Sequence, residues 1–375
     1  MGAFFVFIHK NNTTMKKIYL FIIPLIISCS KSVEDRCFMS DKENSFEAYA
    51  EEKPYTIQQI LNEKPDYLEI ENLKNYRSFK TDSIGNTIHN ISKEEEERKW
   101  KAYKNDYKLF NEAFSEQFWY LKRQQIGDSL YALAKNGLGY WLLKIEHNKP
   151  SAYFLGLSFS HYYFNEVQEQ SIIKGDYLQI EGSLVKIVKV PGLPGYDDYS
   201  AMEDGKLFKI KLKDLMLDSD QDGHNDIFEK SFGLNPHNKD TDGDGINDFD
   251  DMNPMYKSEK NKYTQLYEQL LQTNSGLENP EKLHYTFRAY QNDCDYFHQV
   301  NPYIRVLFIP EEKKKQTSYN RVTYIVRESI SKMKKDEKNP DILYFGISGN
   351  SSMQHGSAEY KNGEWDITLR QDVVI

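Results

Sequence analysis

Only three of the 375 residues are cysteine (Cys29, Cys37 and Cys294), and no two of them form a C-x-x-C pair. That excludes a dense disulfide scaffold and a multi-cysteine zinc site. The nine histidines show no H-E-x-x-H or other zinc spacing, and neither a Walker loop nor a dinucleotide-binding glycine fingerprint occurs. Gly346-Ile-Ser-Gly-Asn-Ser-Ser352 lacks the second glycine of a nucleophile elbow and reads as a turn. Beyond the N-terminal 28 residues, no apolar run reaches the ~18 residues of a membrane span. The basic runs Lys313–Lys315 and Lys332–Lys338 have acids among or beside them, so they read as solvated faces and predict no nucleic-acid partner. With no catalytic motif in view, the chain is expected to be non-enzymatic.

What the sequence does have is one dense block of acid. Between Asp214 and Asp251 twelve carboxylates face only Lys230 and Lys239, a net of −10, whereas the whole chain carries −9. The remainder is therefore close to neutral, and the acidity belongs to one segment. Two twelve-residue windows, 218–229 and 240–251, each place a carboxylate at positions 1, 3, 5, 9 and 12 and a glycine at position 6. A hard divalent cation asks for this spacing: alternate side chains supply oxygens, the carbonyl at position 7 joins them, and glycine permits the sharp turn. The expected calcium ligands are Asp218, Asp220, Asp222, the carbonyl of His224, Asp226 and Glu229 in the first loop. Those of the second are Asp240, Asp242, Asp244, the carbonyl of Ile246, Asp248 and Asp251. Carboxylates packed at ~4 Å repel by roughly 4 kcal/mol per pair at an effective dielectric near 20, so the segment should be loose without metal.

Ten residues separate the loops, and Gly233 with Pro236 leaves no room there for the full helices of paired EF-hands. The stretch resembles the thrombospondin type 3 repeats, through its Gly233-Leu-Asn-Pro236 spacer, Asp240-Thr-Asp-Gly-Asp-Gly245 and the closing Asn253-Pro254. The resemblance covers about forty residues and implies a chain with little regular structure wrapped around a row of calcium ions. Gln221 stands where that family commonly has glycine, and Asp251 closes the second loop in place of glutamate.

The N-terminus reads as an address. Met15-Lys-Lys begins a basic region before a short apolar core that runs into Ile26-Ile-Ser-Cys29. This end resembles the bacterial lipoprotein signal peptide and its lipobox, which implies a true start at Met15, cleavage after residue 28 and lipidation of Cys29. Residues 29–44 are then a polar tether, and the membrane is a partner through acyl chains. The expected location is the envelope of a Gram-negative-type bacterium, as an outer-membrane lipoprotein facing the periplasm or the outside. Cys37 and Cys294 remain as an even pair in an oxidising compartment, where a disulfide would clasp the tether to the C-terminal part. Two separate buried thiols are the expectation, because sequence alone cannot bring them within ~6 Å.

The fold class is α+β. Residues 45–212 are expected to form an antiparallel sheet with one long packed helix. Ser92 and Glu95 box its start, and Trp100, Tyr103, Tyr107, Phe110, Phe114, Phe118 and Leu121 make its aromatic stripe. Strands follow at Ser129–Ala134 and Leu138–Glu146 about Asn136-Gly137, then at Ala152–Ser160, Tyr177–Glu181, Leu184–Val190 and Lys206–Leu212. Pro191–Ser200 reads as a long loop. Residues 213–254 are the calcium segment. Residues 255–375 form a small α+β domain with an amphipathic helix carrying Tyr263, Leu266, Tyr267, Leu270 and Leu271. It continues with strands Leu283–Tyr290 and Tyr303–Ile309, a helix Arg321–Lys335, strand Ile342–Ser348 and a hairpin about Asn362-Gly363. The expected role is a calcium-stiffened junction between two domains with an unidentified protein or glycan ligand. The alternatives are an envelope hydrolase with structural calcium and a calcium-dependent adhesin.

Overall fold

A computed structural model describes residues 32–39, 55–85, 92–157, 161–189, 197–273, 279–290, 292–308, 329–348 and 352–374. Its mixture of helices and antiparallel sheets is the α+β class expected. The signal peptide, Cys29, the tip of the loop at 191–196 and residues 321–328 lie outside the described residues.

The chain opens with α1 (Val33–Cys37), α2 (Ile57–Asn62), β1 (Leu68–Asn72) and α3 (Phe79–Gly85). The expected long helix is α4 (Lys93–Asp106), which starts under a hydrogen bond from the Glu95 N–H to the Ser92 hydroxyl. It is shorter than its stripe, however. Tyr107 leaves helical geometry at φ −109°, a six-residue α5 (Lys108–Ala113) follows, and Ser115 and Glu116 turn the chain with positive φ. Residues 119–121, the end of the expected helical stripe, become the start of strand β2 (Trp119–Ile126) because their backbone pairs with β3 (Ser129–Asn136). The stripe still points inward over most of its length: Tyr107, Phe110, Phe114 and Phe118 are buried, and no residue of α4 is.

β2, β3, β4 (Gly139–Glu146) and β5 (Lys149–Phe154) form a four-stranded meander. Asn136 secures the second turn, its side-chain oxygen accepting from the Leu138 N–H and the Trp141 indole N–H, both at 2.9 Å. A second sheet runs β1, β9, β8, β6 from β6 (Tyr162–Phe164), β7 (Ile173–Lys174), β8 (Tyr177–Lys189) and β9 (Asp197–Lys211), with β7 paired to β8. The two strands expected at 177–181 and 184–190 are therefore one. Gly182 lets β6 pack closely on this strand, since a Cβ there would sit 2.0 Å from the Tyr163 carbonyl oxygen. After α6 (Leu212–Leu215) comes the acidic segment with α7 (Asp226–Phe232), then α8 (Lys262–Thr273), which carries the expected apolar stripe.

The C-terminal part differs from expectation in two places. Of the strands expected at 283–290 and 303–309, the parts Arg288–Tyr290 (β10) and Val306–Phe308 (β11) pair, and they do so in parallel. Residues 329–335, expected as the end of a helix, form β12 (Ser329–Ile330) and β13 (Lys334–Lys335) on the edge of β14 (Ile342–Ser348). β15 (Ser352–Lys361) and β16 (Glu364–Val374) complete this sheet about Asn362 and Gly363, whose φ values of +55° and +90° suit a tight hairpin. A short α9 (Asp295–His298) packs beside α8.

Two apolar cores result. The larger joins both N-terminal sheets and the smaller joins α8, α9 and the C-terminal sheet. The β10–β11 ribbon lies between them and alternates by residue: Ala289 and Leu307 enter the larger core, while Tyr290, Val306 and Phe308 enter the smaller. The larger core does not stop at residue 212. Ile227, Phe228, Phe232 and Leu234 of the acidic segment belong to it, with Tyr285 and Phe287 from beyond the segment. The cysteines correct another expectation. Cys37 and Cys294 form a disulfide, with Cα atoms 4.5 Å apart, and both are buried in the smaller core.

Candidate calcium sites

The two acidic loops fold by the same hydrogen bonds at equivalent positions. Position 1 accepts from the backbone two and four residues past its neighbour: Asp218 from Gln221 and Gly223 (2.7 and 3.2 Å), Asp240 from Gly243 and Gly245 (2.8 and 2.9 Å). At positions 3 and 5, one oxygen takes the N–H two residues on: Asp220 from Asp222, Asp222 from His224, Asp242 from Asp244 and Asp244 from Ile246. His224 and Ile246, whose carbonyls complete the expected ligand sets, are held in place by those bonds. Gly223 and Gly245 at position 6 adopt φ +119° and +99°, which only glycine takes without strain.

These bonds leave the second oxygens inward. Oδ2 of Asp220, Asp222 and Asp242 is buried without a hydrogen-bond partner, as are both carboxylate oxygens of Glu229. Three clusters result, each with one oxygen per residue within 4.8 Å of the others: Asp218, Asp220 and Asp222; Asp240, Asp242 and Asp244; and Asp222, Glu229 and Asp248. Oxygens that share a calcium ion at 2.3–2.6 Å stand at most ~5 Å apart, so the spacing fits. The third cluster was not in the expected grouping. It joins the two loops, and all three of its members are buried.

The position-9 carboxylates do something the spacing did not indicate. Asp226 accepts from the Ser219 N–H and hydroxyl (2.9 and 3.0 Å), and Asp248 from those of Thr241 (2.9 and 2.7 Å). Each closes its own loop onto position 2. Asp226 also takes Lys230 at 3.2 Å and joins none of the three clusters. Asp251 is likewise outside them, with one oxygen on the Asn253 N–H. The hydroxyls of Ser219 and Thr241 at position 2 were the available signal.

The electrostatics are those of an acid nest out of water. Burial, then repulsion from Asp220, Asp222, Asp226 and Asp248, pushes Glu229 up to about 9. Burial, opposed by the His224 N–H and reinforced by neighbouring aspartates, takes Asp222 to about 7. Asp242 and Asp248 rise to about 6, with burial the leading cause in both. A partnerless buried carboxylate is costly, and a divalent cation removes that cost by supplying both charge and a ligand for the orphaned oxygens.

Neighbouring side chains fasten the loops to both cores. Asn225 donates to the carbonyls of Phe154 and Leu215 and accepts from the Phe154 N–H, which pins the first loop to the end of β5. Beside it α7 runs from the loop into the larger core and ends at Gly233, in left-handed geometry at φ +83°. Its Phe228 is fully buried, stacked on His224 with ring centroids at 4.1 Å and packed against Phe154, Trp141 and Phe287. Burial holds His224 neutral, down at about 3. At the other end Asn253 donates to the carbonyls of His298 and Val300, and the buried Arg305 donates from Nη1 to those of Phe249 and Asp251. Nothing in the sequence around Arg305 marked it.

No protein-family model matches the chain, and no curated protein and no solved structure matches it.

Proposed function

We propose that the protein is a lipid-anchored envelope protein in which calcium, held by the paired loops, locks the joint between two cores. The observation that carries this reading is Glu229. A carboxylate fully out of water, with both oxygens unpartnered and two more carboxylates within 4.8 Å, is matched by a cation and by little else. The resemblance to thrombospondin type 3 repeats and to lipoprotein signal peptides agrees with it. The ligand-bearing carboxylates are Asp218, Asp220, Asp222, Glu229, Asp240, Asp242, Asp244 and Asp248. Asp226 acts as a loop clamp, and Asp248 combines both tasks. Calcium in this role is structural: it shapes the joint and takes no part in a reaction. Calorimetric titration of residues 30–375 with calcium should give two to three ions at submillimolar to millimolar affinity. No heat at millimolar calcium would end the proposal.

One observation favours the adhesive reading as a companion. Trp100, Tyr103 and Trp119 lie nearly parallel with centroids 4.9–5.5 Å apart, and the two tryptophans stay 45% and 44% exposed. A ring stack of this kind, left half-exposed at its tryptophans, can pack against the apolar face of a sugar ring. Glycan-array binding that is lost in Trp100→Ala with Trp119→Ala would support it, and an array with no binding would remove it.

A further inference from the structure

We infer that the smaller, C-terminal core is the membrane-proximal body, and that its face bearing α1 and β13 lies against the lipid headgroups. This rests on the lipid-anchor reading of Cys29 and goes beyond it. Chain order alone would put residues 55–212 next to the membrane, since they follow the tether first. The structure assigns the opposite order, because the start of the tether is bound to the other body.

Four kinds of contact fix α1 there. Cys37 is bonded to Cys294. Arg36 grips Asp295 with two parallel bonds, both 2.9 Å. Phe38 bridges Met333 in parallel, with Met39 N–H to the Met333 carbonyl and Met333 N–H to the Cys37 carbonyl, both at 3.0 Å. Lys335 pairs with Glu34 and stands 3.9 Å over the Phe38 ring. Ser32, the first residue of this docked stretch, caps α1 and lies three residues beyond Cys29. Three residues reach at most ~11 Å even fully extended, little more than one headgroup layer. Residues 40–54, by contrast, span up to ~50 Å and leave the larger core free of the surface.

The chemistry of the face agrees. Lys334 is exposed and sits opposite Tyr344, itself 44% exposed, across the β13–β14 pair. Lysine and tyrosine are suited to headgroup depth, with apolar bodies and polar tips. α1 contributes Glu34 and Asp35, and Asp336 and Glu337 directly follow β13, so the net charge of these elements is small and the tether, not charge, holds them down. The far end of the molecule is also defined. Asn136 at one end of β3 bonds the Tyr285 carbonyl at the joint, and Asp128, before the other end, is about 25 Å from it along the strand.

The test uses the acylated full-length protein in phosphatidylcholine vesicles containing a headgroup-nitroxide lipid. A fluorophore is attached through a genetically encoded azide at residue 337 or residue 128, both exposed. Residue 337 should be quenched severalfold more than residue 128, equally at low and high salt. Equal quenching, stronger quenching at 128, or none at either site overturns the inference. Cys37→Ser with Cys294→Ser should lower quenching at 337, and unchanged quenching would remove the clasp from the argument. Mass spectrometry of the wild-type N-terminus separates the two readings: an acyl chain with the wrong quenching order sinks only the orientation, whereas a missing acyl chain sinks the anchor and the orientation with it.

Discussion

Removing calcium should destabilise the larger core and not only the loops. Three clusters are available, and the first and third are continuous through α7 with the apolar interior. If each binds at ~10⁻⁴ M, about 2 mM free calcium stabilises the folded state by roughly 1.8 kcal/mol per ion, or about 5 kcal/mol in all. For a body of this size that corresponds to a fall in Tm of ~10–20 °C on chelation. Trp141 is a local reporter, fully buried with its ring centroid 5.8 Å from that of Phe228. In a variant whose other three tryptophans (Trp100, Trp119, Trp365) are phenylalanine, chelation should lower the melting temperature read by Trp141 and shift its emission to the red. Unchanged melting and emission, with calcium demonstrably removed, would refute the reasoning. The segment would then be an independent spacer whose flanking cores stand without it, as the sequence pattern by itself suggests.

Three further outcomes are expected. Gln221 holds φ +63° where the second loop has Gly243 at +76°, so Gln221→Gly should stabilise the calcium-loaded protein by about 1 kcal/mol in calorimetry. Phe228→Ala should cost about 3–5 kcal/mol in urea unfolding at saturating calcium, because it empties a site enclosed by His224, Trp141, Phe154 and Phe287. Calcium affinity should weaken on acidification from pH 8 to pH 5, by roughly tenfold per pH unit for each proton displaced. The sign follows from Glu229 at about 9 and Asp222 at about 7 in the metal-free fold. Between their ordinary range and those values the folded state holds more protons than the unfolded one, so metal-free stability falls as pH rises and calcium must expel those protons. Titrations at fixed ionic strength would detect a pH-independent affinity, which would contradict the burial of these groups.

Much of the local structure was legible because it depends on neighbours within a dozen residues. Alternating carboxylates with glycine at position 6 specify the loops, since the side-chain hydrogen bonds that fold them join residues two to seven apart. Asn136 and Asn362-Gly363 set two hairpins in the same way, and the 3–4 spacing from Tyr263 to Leu271 sets α8. The aromatic stripe after Trp100 was legible as buried but not as broken, because its end at residues 118–121 can satisfy either a helical face or a strand pairing. Only β3 decides between them.

Everything that turns the loops into a joint is long-range, and the tertiary structure alone decided it. Asp248 meets Glu229 because the second loop folds back over the first, which no twelve-residue window can express. Phe228 belongs to the larger core because Asn225 fastens its helix to β5. Arg305, distant in sequence, closes the far end. Cys37 and Cys294 are 257 residues apart, and their meeting requires the N-terminal stretch to cross to the last body to be synthesised. Spacing determines which residues can share a turn. Which turns share a core depends on the path of the whole chain, set by apolar burial summed over elements that have no local register with one another.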